Sequence, residues 1–139
     1  MQVQVLINID VPDAAQAARF YERAFGLRPR RRLGPRAIEM AGAAAPIYLL
    51  EKAAGSQAAT ATRQGRDYAR HWTPVHLDFV VDDCDSAVAT AVAAGAMLED
   101  PPHSHAWGRI AHLSDPYGNG VCILQFLGEG YDALAAAAP

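Results

Sequence analysis

Val75-His-Leu-Asp-Phe-Val-Val-Asp-Asp-Cys-Asp-Ser-Ala-Val-Ala-Thr-Ala-Val-Ala-Ala-Gly95 decides the fold. Val75 to Val81 reads as a strand, because apolar and β-branched residues dominate and polar ones fall at alternate positions. Asp82-Asp83 then supplies a helix cap, and Ala87, Val88, Ala91 and Val92 recur at helical spacing before Gly95 closes the helix. Working outward, the same order stands near the start. Val3 to Val11 reads as a strand and Pro12-Asp13 as a cap. Ala17, Phe20, Tyr21, Ala24 and Phe25 form a helical stripe, and Gly26 a stop. Three extended pieces follow each helix: Arg28–Leu33, Arg36–Met40 and Pro46–Glu51, then Ala96–Glu99, Gly108–Leu113 and Gly120–Phe126. Gly34-Pro35, Gly42 and Asp115-Pro-Tyr-Gly-Asn119 supply the turns. The expected class is α+β: tandem βαβββ modules forming a cup-shaped mixed sheet, each too small to bury its own face alone. One domain over 1–139 is expected, with half-unit 1–52, connector 53–74, half-unit 75–127 and tail 128–139. The connector lacks a period, but Arg66-Asp-Tyr-Ala-Arg-His-Trp72 is too aromatic for a bland linker and is expected to pack. Tyr131 is expected to anchor the tail before its alanine run frays.

Composition narrows the function classes. The chain has 139 residues, 51% hydrophobic and 19% charged, which is a globular balance. A net charge of −3 and a pI near 5.9 give no global field for nucleic acid or an anionic membrane. No apolar run is long enough to span a bilayer. Cys84 and Cys122 show no zinc spacing, and without a signal peptide they are expected to be reduced thiols of a cytoplasmic protein.

Strand alternation sorts the side chains. Ile7, Ile9 and Val11, like Leu77, Phe79 and Val81, form all-apolar faces that should cover the helices. The opposite faces gather Leu6, Asn8, Tyr48, Leu50, His76, Asp78, Cys122 and Leu124, an apolar wall with a few convergent polar groups, which is the chemistry of a small-molecule pocket.

Val11-Pro-Asp13 leading into Ala18-Arg-Phe-Tyr-Glu-Arg-Ala-Phe-Gly26, His76-Leu-Asp-Phe-Val-Val-Asp-Asp83 and Asp115-Pro-Tyr-Gly-Asn119 together resemble the vicinal oxygen chelate superfamily of glyoxalases, bleomycin-resistance proteins and extradiol dioxygenases. The resemblance covers nearly the whole chain and implies a glyoxalase-like fold that hosts isomerases, lyases, dioxygenases and drug-binding proteins. It also implies a homodimer. In metal-dependent members four cup positions carry His, Glu, His and Glu; here those positions are Leu6, Tyr48, His76 and Cys122. Only His76 is kept, so no cofactor is expected; the alternative is a divalent metal ion held through His76. Glu51, near the first-half position, has the opposite parity.

Several residues admit two readings. His76 suits a general base with Asp78 on the same face, bridged by water, or a histidine that merely satisfies a polar need. Cys122 suits a nucleophile beside His76, or a small buried hydrophobe; Cys84 reads as structural. His103-Ser-His105-Ala-Trp-Gly108 suits a loop roofing the pocket, with His105 and Trp107 against a flat ligand, or a plain hairpin. His112 is undecided. Arg28, Arg30 and Arg32, with Arg31 and Arg36 nearby, suit a carboxylate or phosphate clamp, or a solvated hairpin face. The resulting expectation is a metal-independent protein binding a small organic, partly aromatic ligand. Its site would be Asn8, Tyr48, Leu50, His76, Asp78, His105, Trp107, Cys122 and Leu124. The alternative is an atypical lyase or isomerase using His76 with Cys122 or Asp78, or a divalent-metal enzyme with substituted ligands.

Overall fold

A computed structural model describes residues 1–135 of the chain. The alanine run of the tail lies largely outside the described residues. The chain forms two compact units, Met1–Ala69 and a second beginning at Arg70.

In the first unit, β1 (Ile7–Val11) leads into α1 (Ala14–Phe25), then β2 (Arg28–Arg32), β3 (Ala37–Ala41) and β4 (Ile47–Glu51). The second unit repeats the order with β5 (Leu77–Val80), α2 (Cys84–Ala94), β6 (Met97–His105), β7 (Gly108–Ser114) and β8 (Gly120–Phe126). The strands lie as β1-β4-β3-β2 and β5-β8-β7-β6. In each sheet the first strand runs parallel to the last and the other pairings are antiparallel. The α+β reading of tandem βαβββ modules therefore holds, with each module forming its own four-stranded mixed sheet.

The caps form as their residue types dictate. Asp13 accepts the Gln16 amide at 2.9 Å, Asp83 accepts that of Ser86 at 3.0 Å, and Gly26 closes α1 with φ of +67°. The α1 stripe of Ala14, Ala17, Phe20, Tyr21 and Ala24 is buried, as are Ile38, Met40, Ile47 and Leu49 of the adjacent strands. In the second unit Cys84, Val88 and Ala91 are buried with Leu113, Val121 and Ile123. Val92, expected in that stripe, is exposed.

Strand lengths depart from the sequence reading in three places. β1 begins at Ile7, not Val3, and Leu6 lies outside it, exposed. The ladder stops because Ile7 donates to Pro46, which has no N–H to return. β5 begins at Leu77, so His76 precedes the strand; beyond this point the partner residue would be Gly120, which is crowded by Arg70 and Trp72. β6 runs on to His105, so the expected 103–108 loop is a strand end and a tight turn.

The connector is folded. Gly55 donates to the Arg66 carbonyl at 2.7 Å and Arg66 to that of Ser56 at 2.8 Å, with an antiparallel bridge between Gln57 and Gly65. The Arg66 Nε meets Asp10 of β1 at 2.6 Å, and the Tyr68 hydroxyl donates to the Lys52 carbonyl at 2.7 Å. The expectation that the aromatic stretch packs is realised by these bonds and by Trp72 below.

Candidate functional site on the β5–β8 face

Pairing places the candidate residues of the second unit. Asp78 lies beside Cys122 across β5–β8, and Cys122 beside His112 across β8–β7, so all three side chains share one face. The register thus settles His112, which the sequence left open. Leu124 follows Cys122 on the same face and, like it, is buried.

His76 Nε2 lies 3.1 Å from Asp78 Oδ1. This direct contact replaces the expected water bridge. Because His76 precedes β5, it is not held to the two-residue repeat of a strand. The donor atoms of His76, Asp78 and Cys122 all lie within 4.8 Å of one another. The Trp72 ring stands 4.6 Å from the His76 imidazole at 39°. Arg70 sits 5.9 Å from the Trp72 ring and grips Glu99 with two bonds, of 2.6 and 2.8 Å.

The electrostatics separate the roles. Burial pushes the Cys122 thiol up to about 12, with the Asp78 charge and the bond to Asp78 adding to it. It is therefore a thiol at neutral pH, which fits the small buried hydrophobe and not the thiolate nucleophile. Burial also pushes the Cys84 thiol up, and its Sγ lies 3.5 Å from the Ile123 carbonyl. Glu99 is held below its ordinary value, chiefly by Arg70 and in small part by His112.

His105 and Trp107 stand elsewhere. Their rings stack 5.0 Å apart at 4°, His103 meets His105 edge-on at 4.8 Å, and Tyr131 packs on Trp107 and Phe126. This ladder sits where Gly108 pairs with Phe126, four residues along β8 from Cys122, a rise of about 13 Å. The extended β6 carries these rings to the far end of the hairpin, so they do not roof the His76 cluster.

The first unit has the equivalent face. Asn8 lies beside Tyr48, and Tyr48 beside Glu39, with Leu50 two residues on from Tyr48. Glu39 is 2% exposed and was not singled out by the sequence. It accepts the Tyr48 hydroxyl at 2.9 Å and Arg31 Nε at 2.7 Å, and Arg30 approaches to 3.8 Å. Tyr48 is the main cause holding its carboxyl below the ordinary value, with Arg31 assisting. A register shift between Pro29 and Arg31 breaks the alternation expected of the arginines, turning Arg31 onto Glu39.

The comparisons with known proteins agree with this architecture. The model of the glyoxalase-like domain matches residues 6–124. The chain belongs to the glyoxalase-like domain family. This glyoxalase-like domain is 34% identical over 131 residues to the anthracycline biosynthesis protein DnrV of Streptomyces peucetius, covering 92% of this chain and 43% of the relative. It thus spans less than half the length of the curated relatives it matches. Among solved structures, a glyoxalase-related enzyme from Fulvimarina pelagi superposes with a TM-score of 0.70 at 20% identity, covering 90% of this chain and 88% of that one. TioX from Micromonospora sp. ML1 superposes at 0.69 with 18% identity, covering 91% and 100%. These structures share the fold.

The metal set implied by the superfamily does not fit this glyoxalase-like domain. Leu6 offers no donor atom, and the Tyr48 hydroxyl is given to Glu39. Glu51, near the first-half position, turns to the start of α1, where its Oε2 accepts the Ala14 amide at 3.0 Å. The first unit therefore places no ligand at either implied position. What the second unit offers is a different set, one imidazole, one carboxylate and one thiol, and the thiol would have to lose its proton to ligate.

Proposed function

We propose that this glyoxalase-like domain binds a flat, aromatic organic molecule on the β5–β8 face without a catalytic metal. The observation that carries the reading is His76, braced by Asp78 at 3.1 Å and flanked by the Trp72 ring at 4.6 Å, beside buried Cys122 and Leu124. An indole beside an oriented imidazole suits a ring stacked on one and hydrogen-bonded to the other. The name of the curated relatives supports a polycyclic aromatic of the anthracycline kind. Sequestration, as in the resistance-protein branch, needs no more than this.

Fluorescence of the Trp107→Phe chain, which leaves Trp72 as sole indole, tests the reading by titration with hydroxyanthraquinones. Saturable quenching, weakened by His76→Ala, is expected. Saturable binding, followed by the absorbance of the hydroxyanthraquinone itself, that persists unchanged in Trp72→Ala and His76→Ala overturns the site. Stoichiometric Zn, Ni, Mn or Fe in untagged protein, lost on His76→Ala, overturns the metal-free part.

A second reading is enzymatic, favoured by the His76–Asp78 contact. With Nε2 turned to Asp78, Nδ1 is left to take a proton, so the pair suits a lyase or isomerase. Turnover of an aromatic polyketide that is abolished in His76→Ala and reduced in Asp78→Asn would select it.

Two expectations complete the proposal. The buried, unlinked Cys84 and Cys122 suit a reducing cytoplasm. Among the described residues no helix is long and apolar enough to cross a membrane. A homodimer is supported by a charge asymmetry: ten basic against six acidic side chains in the first unit, a formal +4, and two against nine in the second, −7. Each copy thus offers unlike charge to a second. A dimer that dissociates in high salt by light scattering is expected; a monomer at low salt and high concentration overturns it.

A further inference from the structure

We propose that the first unit carries a second ligand site, for an organic anion, where β4 runs into the connector. A concavity of about 460 Å³ lies there, within the size range of small-molecule sites. Three cations line it: Arg36 just before β3, Lys52 just after β4, and Arg66 from the connector. The strand pairing brings the first two together, because the Glu51 amide donates to the Arg36 carbonyl at 2.7 Å and Lys52 is the next residue. Leu33, Pro35 and Leu50 give the concavity an apolar wall.

Two carboxylates stand nearby, and one of them, Glu51, also lines the concavity. Glu51 accepts the Ala14 amide at 3.0 Å, and Asp10 accepts Arg66 Nε at 2.6 Å. Arg66 is fixed further by Nη1, which donates to Ser56 Oγ at 3.2 Å and to the Gln57 carbonyl at 2.9 Å. Its side chain is 15% exposed, and its Nη2 has no hydrogen-bond partner among the described residues. Arg36 and Lys52 have no ion pair among the described residues. The result is one clamped guanidinium with unused N–H groups and two adjustable cations at the rim. Carboxylate and phosphate oxygens match that set, the Arg36 fork taking two oxygens while Arg66 Nη2 and the Lys52 ammonium each reach one. The apolar wall selects an anion with a hydrophobic portion over a bare one. The arginines of β2 make a weaker candidate, since Arg30 and Arg31 lean on Glu39.

Amide-resolved NMR titration of the whole chain with phenyl phosphate tests this, with benzoate, inorganic phosphate and neutral benzamide run alongside. Shifts centred on Arg36, Lys52, Ser56 and Arg66 are expected, with phenyl phosphate or benzoate binding more tightly than inorganic phosphate. The tighter of those two names the headgroup. Arg36→Gln and Lys52→Gln should each weaken binding about tenfold, the loss of one charge-assisted contact. Added salt should weaken it in the unaltered chain, a readout that needs no variant. Benzamide binding equally well, shifts elsewhere, or an Arg36→Gln/Lys52→Gln chain binding undiminished would each overturn the site. His76→Ala should change nothing; loss of phenyl phosphate binding there would assign the anion to the β5–β8 face and overturn the proposal.

Discussion

The two units lay down the same row of paired residues and use it in opposite ways. Across the first sheet the row is Asn8, Tyr48, Glu39, Arg31; across the second it is Asp78, Cys122, His112, Asp100. In the first unit the row closes on itself. A buried carboxylate takes a phenol from one side and a guanidinium from the other, so the polar groups spend their capacity internally. In the second unit the central position is an inert thiol, and Asp78, with His76 beside it just ahead of the strand, stands about one third exposed. A duplicated fold specialises through which copy satisfies its own polar groups. The row that does so serves as scaffold, and the other row keeps the donors and acceptors on which the proposed aromatic site rests.

The largest test of that contrast is in the cores. Leu49→Ala and Ile123→Ala remove fully buried side chains from equivalent strands, and each should cost about 2–5 kcal/mol. Calorimetry then shows whether the two units melt as one: two transitions, each moved by only one variant, would mark them as independent. Next, Gly120→Ala places a methyl 2.8 Å from Arg70 Nη2 and 3.0 Å from the Trp72 ring. A loss of about 1–3 kcal/mol is expected, with Trp72 emission shifting to the red as the ring is displaced. Unchanged emission would show that the ring does not depend on this cradle.

Tyr48→Phe opens the closed row. Glu39 is held below its ordinary value, so the stability it contributes is full above the ordinary carboxylate range and lost as pH falls through its folded value. The variant should melt lower at neutral pH, and its gap from the parent should narrow in acid. A gap that is constant with pH would remove Glu39 from the explanation. The smallest effect lies in the open row. Asp78→Asn removes a charge that raises the Cys122 thiol, so alkylation of Cys122 at mildly alkaline pH should quicken, while Cys84 serves as the internal reference. No change in rate would leave burial as the whole cause.

The duplication was legible because it is written locally. Asp13 and Asp83 each precede an apolar helical stripe, and each helix is followed by three short extended pieces. What the sequence could not show depends on a partner strand. Leu6 falls outside β1 because Pro46, forty residues away, cannot return a hydrogen bond. His105 and Trp107 move away from His76 because pairing with β7 prolongs β6. Glu39 and His112 join the two rows through cross-strand register, which no local period reveals. Alternation did place Asp78 with Cys122 and Asn8 with Tyr48, since that depends only on parity and one alignment. His76 kept its neighbour but not its spacing, because it left the strand that set the distance.

The clasp between Ser56 and Arg66 has a practical corollary. Paired backbone bonds hold the two ends of the 57–65 segment side by side, so whatever lies between them is a loop whose ends are already joined. Lengthening such a loop costs only a slowly growing closure entropy, roughly 0.6 kcal/mol per doubling. The stretch from Ala59 to Gln64 is thus a natural place to splice in an epitope, a fluorophore-binding peptide or a small folded domain. Such an insert would report on this protein while leaving both sheets untouched.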